Sequence, residues 1–354
     1  MFRSSSTGRR GEGQILALFA LSLTVIVLAV ALVIDGGNAL MQRRSSQNTS
    51  DFAALAGARI IATWIDGDTT NGTDANVVAS INATVAANKG VPVTYGAPNG
   101  PRYVSRSGAF TGWVGAGIIP ATTEGVTVAT SKVFRPYLLG IINSGNWTAS
   151  STATARGGYA ASPPTGTLFP VGIALAFFET YPFCTGDVGS SPECQPQQLT
   201  PGNLNVPGGF GWLKFGCDGY GLGQDPPANI GGCANSKPFL QGEIGPPPQS
   251  YGCCTQVGLP GSPDRIGSLP GNKVSADCSY YIDNEIIVTV PIWDTAGGTG
   301  SNGWYHIIGF AGFQITECRG GKDIAGVWRK QFFLGPTTAS SPGEFASLAV
   351  QLVK

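Results

Sequence analysis

Few residues in this chain have chemistry to offer: one histidine, His306, eight cysteines, a pair of closely spaced aspartates and one glycine-rich loop. Every histidine-dependent mechanism has to run through His306. Its neighbours Trp304, Tyr305, Ile307 and Ile308 are aromatic or aliphatic, the setting of a structural strand residue rather than of a general base. Gly298-x-Gly300-x-x-Gly303 has the spacing of a dinucleotide fingerprint. Such a loop must open a helix whose N-terminus meets the pyrophosphate, whereas residues 304–308 continue as a strand, so a hairpin loop is expected. Asp66-x-Asp68 could begin a calcium loop, but the sixth position is Asn71 instead of glycine and the twelfth is Val77 instead of glutamate, which leaves a polar turn. No G-x-S-x-G, H-E-x-x-H or G-x-x-x-x-G-K-[ST] pattern occurs. No catalytic residue, cofactor, metal or small-molecule substrate is expected.

The cysteines are Cys184, Cys194, Cys217, Cys233, Cys253, Cys254, Cys278 and Cys318. Even in number and confined to one Gly/Pro-rich region, they read as a disulfide set in an oxidising compartment. Zinc is disfavoured because no C-x-x-C pair occurs and the single histidine is distant in sequence from most of them. Loop length makes Cys184–Cys194 and Cys217–Cys233 the first local pairs to test, while the full connectivity stays open.

What must position these residues begins at Gly13–Ile34, GQILALFALSLTVIVLAVALVI, a run without charge. A membrane span needs about 20 predominantly apolar residues, and at 1.5 Å per residue this run covers roughly 30 Å. It holds fourteen Ile, Leu, Val or Phe residues. At about −0.3 to −0.6 kcal/mol each near the bilayer centre, they favour insertion by roughly 4 to 8 kcal/mol. Ser22 and Thr24 can bond back to carbonyls of their own helix. A cleaved signal would have a shorter apolar region and a small-x-small site after it; here Asp35-Gly36-Gly37-Asn38 follows, so a retained anchor is expected.

Composition narrows the remainder. Only 12% of residues are charged and the 21 basic and 21 acidic residues cancel, which offers no footprint for nucleic acid. The 52 glycines and 25 prolines favour a turn-rich, largely β body, and 42% hydrophobic residues are more than a chain without a core would carry. Cysteine placement, supported weakly by Arg3, Arg9 and Arg10 before the span, puts the N-terminus in the cytoplasm and the body outside.

Beyond the span, nothing up to Ile61 breaks a helix, although Gly36-Gly37 could bend it. Phe52, Leu55, Ala56, Arg59 and Ile60 recur at helical spacing with small residues between them, a stripe against which a sheet can pack closely. Asp74 is the expected N-cap of a helix to Lys89, with Val77, Ile81 and Val85 on one face and Gly90 closing it. Strands are expected at 91–95, 126–132 and 147–156. After a linker at Ser162-Pro163-Pro164, a buried strand is expected at 168–178, a short one at 210–215, and better ones at 285–293, 304–316, 327–334 and 345–353.

Two passages resemble the TadE/TadG-like proteins of the tight-adherence (Flp) pilus assembly system. One is Gly13-Gln14, the apolar run, Asp35-Gly36-Gly37 and then QRRSSQNTSDFAALAGAR (Gln42 to Arg59), similar to that family's Q-R-R, Q-N, D-x-A-A-L-A-G-A pattern. The other is VTVATSKVFRPYLLGIINSGNWTASSTATARGG (Val126 to Gly158), similar to its closing strand, short apolar helix and Ala/Thr-rich strand. The likeness covers roughly 11–158. It implies a pilin-like long helix on a small antiparallel sheet, and a structural role in pilus assembly or anchoring among membrane partners and pilins. Processed pilin-like members carry a glutamate five residues into the mature apolar stretch, where this chain has Leu18 if cleavage followed Gly13; this argues against prepilin-peptidase processing. The D-x-S-x-S metal motif of larger members is also absent.

The expected fold class is therefore α+β: a cytoplasmic leader (1–12), a transmembrane helix (13–34), a pilin-like helix-plus-sheet module (35–158) and a mostly β, disulfide-rich extracytoplasmic domain (159–354). An anchored adhesin or ligand-binding ectodomain independent of any pilus is the alternative function.

Overall fold

The computed structural model describes residues 12–96, 98–142, 145–161, 169, 171–179, 182–199, 213–214, 265–268, 279–297, 304–319, 323–338 and 347–353. The leader up to residue 11, the linker at 162–164, the glycines 298, 300 and 303, and Cys217, Cys233, Cys253, Cys254 and Cys278 lie outside these.

One helix, α1 (Glu12–Ile65), runs for 54 residues, about 80 Å. It passes through Gly36-Gly37 without interruption, since two glycines cost only about 1 kcal/mol each against a long proline-free run. It stops where Gly67 takes φ +84°, a conformation that costs glycine nothing. The Gly67 N–H then bonds to the Trp64 carbonyl (3.1 Å) and the Asp68 N–H to that of Thr63 (3.2 Å), which together satisfy the last carbonyls as in a Schellman motif.

The second helix, α2 (Asp74–Ala87), buries Val77, Ile81 and Val85 against α1, as the spacing predicts. Its N-cap is Thr73 and not Asp74: the Thr73 hydroxyl accepts the Asn76 N–H at 3.2 Å. Asp74 is one residue further in, freed for the contacts described below.

The first sheet contains β1 (Arg102–Val104), β2 (Phe110–Trp113), β3 (Gly125–Phe134), β4 (Trp147–Ala160), β12 (Phe332–Leu334), β13 (Thr337–Thr338) and β14 (Leu348–Val353). The order is β12-β14-β4-β3-β1-β2, with β13 also on β4; all described pairs are antiparallel except β12–β14. The β3–β4 ribbon pairs from Gly125↔Arg156 out to Phe134↔Trp147, and the short helix α3 (Leu139–Ile142) lies in the connection at its tip. Residues 91–95 form no strand, though the Val91 N–H bonds to Ser131 O at 2.9 Å.

The last third of the chain does not stay to itself. The expected strand 327–334 is two strands in two sheets: β11 (Asp323–Arg329) in the second, β12 in the first. The expected strand at the C-terminus is β14, which lies along β4 with Leu352 opposite Ala155 and puts Val350 into the same core as Ile61, Ile81 and Val126.

The second sheet has the order β5-β9-β10-β11-β6, with β5 (Ile173–Ala174), β6 (Gln197–Leu199), β9 (Ile287–Gly297) and β10 (Trp304–Arg319); β8 (Arg265–Ser268) pairs with β10 and β7 (Leu213–Lys214) with β8. The run expected as one strand at 168–178 turns instead into a short helix, α4 (Leu175–Phe178), whose Phe178 packs edge-on against Trp328 at 4.7 Å. Val288, Val290 and Ile292 of β9 meet Phe313 and Ile315 of β10 beneath it, so alternate residues of both strands fill one core. Together these elements make an α+β protein: a long N-terminal helix on a sheet, joined to a mostly β region.

Candidate functional site

The part of the molecule that no globular requirement explains is α1. Along 15–34 its large apolar side chains are exposed, Leu18 by 64% and Val33 by 74%, although burying a Leu or Val side chain is worth about 1.5 to 3 kcal/mol. The stretch is long and apolar enough to cross a membrane. Its two hydroxyls are satisfied within the helix: Ser22 donates to Phe19 O at 2.9 Å and Thr24 to Ala20 O at 2.8 Å.

At residue 31 the helix acquires a packed face, and the chemistry of that face changes along its length. Ala31, Asp35 and Asn38, one face at spacings of four and three, are the first buried positions. The Asp35 carboxylate accepts the backbone N–H groups of Tyr137 (2.6 Å), Leu138 (3.2 Å) and Leu139 (2.6 Å), and so clasps the β3–β4 tip to the helix. Two to three turns further on, the face is made of hydroxyls. Ser46 and Ser50 both lie 2.8 Å from the Ser151 hydroxyl, Ser50 is 2.8 Å from Thr130 Oγ1, and Ser46 donates to Thr130 O at 3.1 Å. Lys132 Nζ donates to Ser45 at the rim, 2.7 Å. Each buried hydroxyl has a partner, which keeps the network from being a liability in a low-dielectric seam.

Beyond Ser50 the seam becomes a close approach of backbones. Ala53, Ala54, Ala58, Ile61 and Ala62 are buried, while Phe52 is 55% exposed. Of the stripe expected to receive the sheet, Leu55 and Ile60 are half-buried against this core while Phe52 faces away, and the small residues between them make the closest approach. Two glycines make this possible. A Cβ on Gly157 of β4 would sit 2.1 Å from the Ala58 carbonyl oxygen, and one on Gly57 would sit 3.0 Å from Val126 Cγ1 and 3.3 Å from Ile81 Cδ1. The A-A-L-A-G-A run is thus the surface on which β3, β4 and α2 converge.

The far end of α1 is held from the C-terminal part of the chain. Asp66, its side chain 1% exposed, accepts from Lys330 Nζ at 2.7 Å, Arg59 stacks over the Phe332 ring at 4.5 Å, and the Tyr159 hydroxyl donates to Ile65 O at 3.1 Å. Asp74 organises the neighbouring loops: its carboxylate accepts the Tyr103 hydroxyl (2.5 Å) and the N–H groups of Gly115 (2.9 Å) and Gly117 (2.7 Å), whose φ values of +87° and +88° suit glycine. Burial, followed by the hydrogen bond and charge of Asp74, pushes the Tyr103 hydroxyl well above its ordinary pKa.

The residues singled out for chemistry fall elsewhere. Cys184 and Cys194 form a disulfide, with the Cys184 N–H bonded to Trp328 O at 3.0 Å, so that loop is stapled onto β11. Cys318 on β10 is disulfide-bonded too. His306 Nδ1 lies 2.7 Å from Asp294 Oδ1 across β9 and β10. The strands flanking the 298–303 glycines are antiparallel, Gly297 opposite Trp304, where a dinucleotide site needs a helix. Asp68 accepts the Thr70 and Asn71 N–H groups, both at 3.0 Å, and Asn71 Nδ2 at 2.9 Å, which closes residues 68–71 as a polar turn. Among the described residues no group of three or more His, Cys, Asp or Glu side chains is arranged to hold a metal.

Asp35, Ser46, Ser50, Asp74 and Gly157 carry no reading as site residues in the sequence. The signals were present for two of them: an aspartate directly after an apolar run, and a Gly-Gly pair inside a strand.

No curated protein and no solved structure shows a match to this chain. The helix does have a counterpart: residues 13–59, the exposed apolar stretch together with the hydroxyl and alanine face that follows it, match the Tad family, Flp pilus-assembly TadE/G-like.

Proposed function

We propose that this chain is a membrane-anchored structural protein of Flp-type pilus assembly or anchoring, with its N-terminus in the cytoplasm, its body outside the membrane and no catalytic role. The observation that carries the proposal is the two-part character of 13–59: apolar and exposed up to residue 34, then packed face-on against a sheet, in a segment that matches a pilus-assembly family. A helix that crosses the bilayer and continues without a joint into a sheet couples the body rigidly to the membrane. Asp35, the hydroxyl network and the Gly157 contact are the fastenings of that coupling. The Cys184–Cys194 and Cys318 disulfides support an oxidising location for the body. Its partners would be the lipid bilayer and, through the helix or the exposed sheet edge, membrane components of the pilus machinery or the pilins.

The test is deletion of the gene followed by electron microscopy of surface fibres, with co-purification of the tagged chain from membranes to identify its neighbours. Loss of fibres restored by the intact gene is the expected result. Normal fibres in the deletion strain, with no pilus component co-purifying, would refute the proposal and leave the adhesin reading.

A further inference from the structure

We propose that the tip of the β3–β4 ribbon, residues 133–142 with Trp147, sits in the interfacial layer of the bilayer beside α1, as a second and shallower membrane contact with Tyr137 and Trp147 at headgroup level. The inference rests on the anchored reading above and adds to it where the membrane meets the body.

Height is set by Asp35. It follows the apolar run directly, and its bonds to Tyr137, Leu138 and Leu139 hold the tip at that level of the helix, where the bilayer would end if 13–34 spans it. Composition agrees. From the end of β3 into the connection the chain reads Val133-Phe-Arg-Pro-Tyr-Leu-Leu-Gly-Ile-Ile142, one charge in ten residues, before the polar Asn143-Ser144-Gly145-Asn146; a connection facing water is ordinarily polar throughout. Tyr137 is 68% exposed and Val133 54%, and on α1 Leu40 and Met41 are 63% and 68% exposed. Phe134 and Trp147 pair edge-to-face at 6.1 Å and form one wall of a cleft whose other wall is Gly36, Ala39, Leu40 and Arg43 of α1. Exposed apolar side chains thus occur on both the helix and the ribbon just beyond the apolar run. Tyr and Trp with flanking Arg43 and Arg135 are the residue types that settle at a membrane–water interface.

The backbone supplies the independent observation. A turn entering a lipid boundary needs partners for its free N–H groups other than water. Here Pro136 has no N–H, Asp35 takes the next three, and the Arg135 guanidinium donates to Gly140 O at 3.0 Å. Asp35 is itself fully buried by this arrangement, so the carboxylate is not presented to lipid.

The experiment uses the full chain in proteoliposomes of phosphatidylcholine and phosphatidylglycerol, with nitroxides at the headgroup, at the fifth acyl carbon or at the twelfth. Tryptophan emission is compared among the wild type, Trp147→Phe and Tyr137→Trp, both variants being checked for an unchanged far-ultraviolet dichroism and melting temperature. The emission component removed by Trp147→Phe and the one added by Tyr137→Trp should each be quenched roughly twofold or more by the headgroup or fifth-carbon label and less by the twelfth, as expected of interfacial aromatics. If neither component is quenched by any label while the protein resists alkaline carbonate extraction, the inference is overturned and the anchor stands; the tip would then face a protein partner or water. Release by carbonate would overturn the anchored reading, and this inference with it.

Discussion

Replacing Gly157 by alanine tests whether the helix–sheet seam is held by backbone proximity. The added Cβ would meet the Ala58 carbonyl oxygen at 2.1 Å and the Ala62 nitrogen at 2.9 Å, both backbone atoms of a continuous helix that cannot rotate out of the way. Real Cβ atoms essentially never come within 3.0 Å, so helix and strand have to part by about 0.9 Å at this point. A gap of that size forfeits about a quarter to a half of each dispersion contact across it, and overpacking of this kind costs about 1 to 3 kcal/mol. The opposing gain, from the reduced freedom of alanine in the unfolded chain, is about 0.4 to 1 kcal/mol. A net loss of about 1 kcal/mol follows, a fall of about 2–4 °C in the melting temperature of a body of this size. The assay is thermal unfolding of the full chain in nanodiscs, followed by near-ultraviolet dichroism. Gly36→Ala is the control, because its Cβ would meet nothing within 4 Å and an interior helical glycine is worse than alanine by about 1 kcal/mol. Melting of Gly157→Ala at or above the wild-type temperature, with Gly36→Ala below it, would refute the reasoning.

Four further outcomes are expected. Asp35→Ala removes the acceptor of three N–H groups, so exchange of the Tyr137, Leu138 and Leu139 amides should accelerate while that of the Ala53–Ala62 amides does not; uniform acceleration would mean the clasp is not local. Lys330→Ala leaves the Asp66 carboxylate buried without its ammonium and should cost about 1 to 2 kcal/mol by thermal unfolding, more than Asp66→Asn, which keeps the shape and removes the charge. Cys184→Ala/Cys194→Ala opens a ten-residue separation and should cost about 2 to 3 kcal/mol, with reduction of the wild type producing a larger shift because the Cys318 disulfide opens as well. The Asn71 side chain and N–H, followed by the Thr70 N–H, hold the Asp68 carboxyl below the ordinary carboxylate value of 3.8. Its contribution to stability is therefore complete above that value and fades as pH falls through the lowered one. The melting difference between wild type and Asp68→Ala should be constant from neutrality down to about pH 4 and shrink below it; a difference that grows on acidification would be the wrong sign.

Legibility varied with the range of the interaction that decides each element. The long apolar stretch, the α2 face of Val77, Ile81 and Val85, and the β3–β4 ribbon were readable because period and composition within a dozen residues determine them. The N-cap shifted by one residue, from Asp74 to Thr73, because a carboxylate that can accept from Tyr103, Gly115 and Gly117 serves distant loops better than its own helix end. The closest-packed face of α1 fell on the small residues, with Leu55 and Ile60 at its margin, for a related reason. Large residues ordinarily mark a core, but where β4 offers Gly157 the favourable contact is backbone against backbone, and alanines fill it.

By itself, then, the sequence determined that this protein has a lipid-length apolar helix, a helix–sheet module after it and a cysteine-bearing β region. Each follows from local hydropathy, period and residue type. Only the tertiary structure decided that β12, β13 and β14 return from the end of the chain to β4, that Asp35 clasps the ribbon tip, and that Lys330 reaches Asp66. These join residues more than a hundred positions apart, and their energy comes from burial and hydrogen bonds that exist only once the surfaces meet, so no window of sequence contains them.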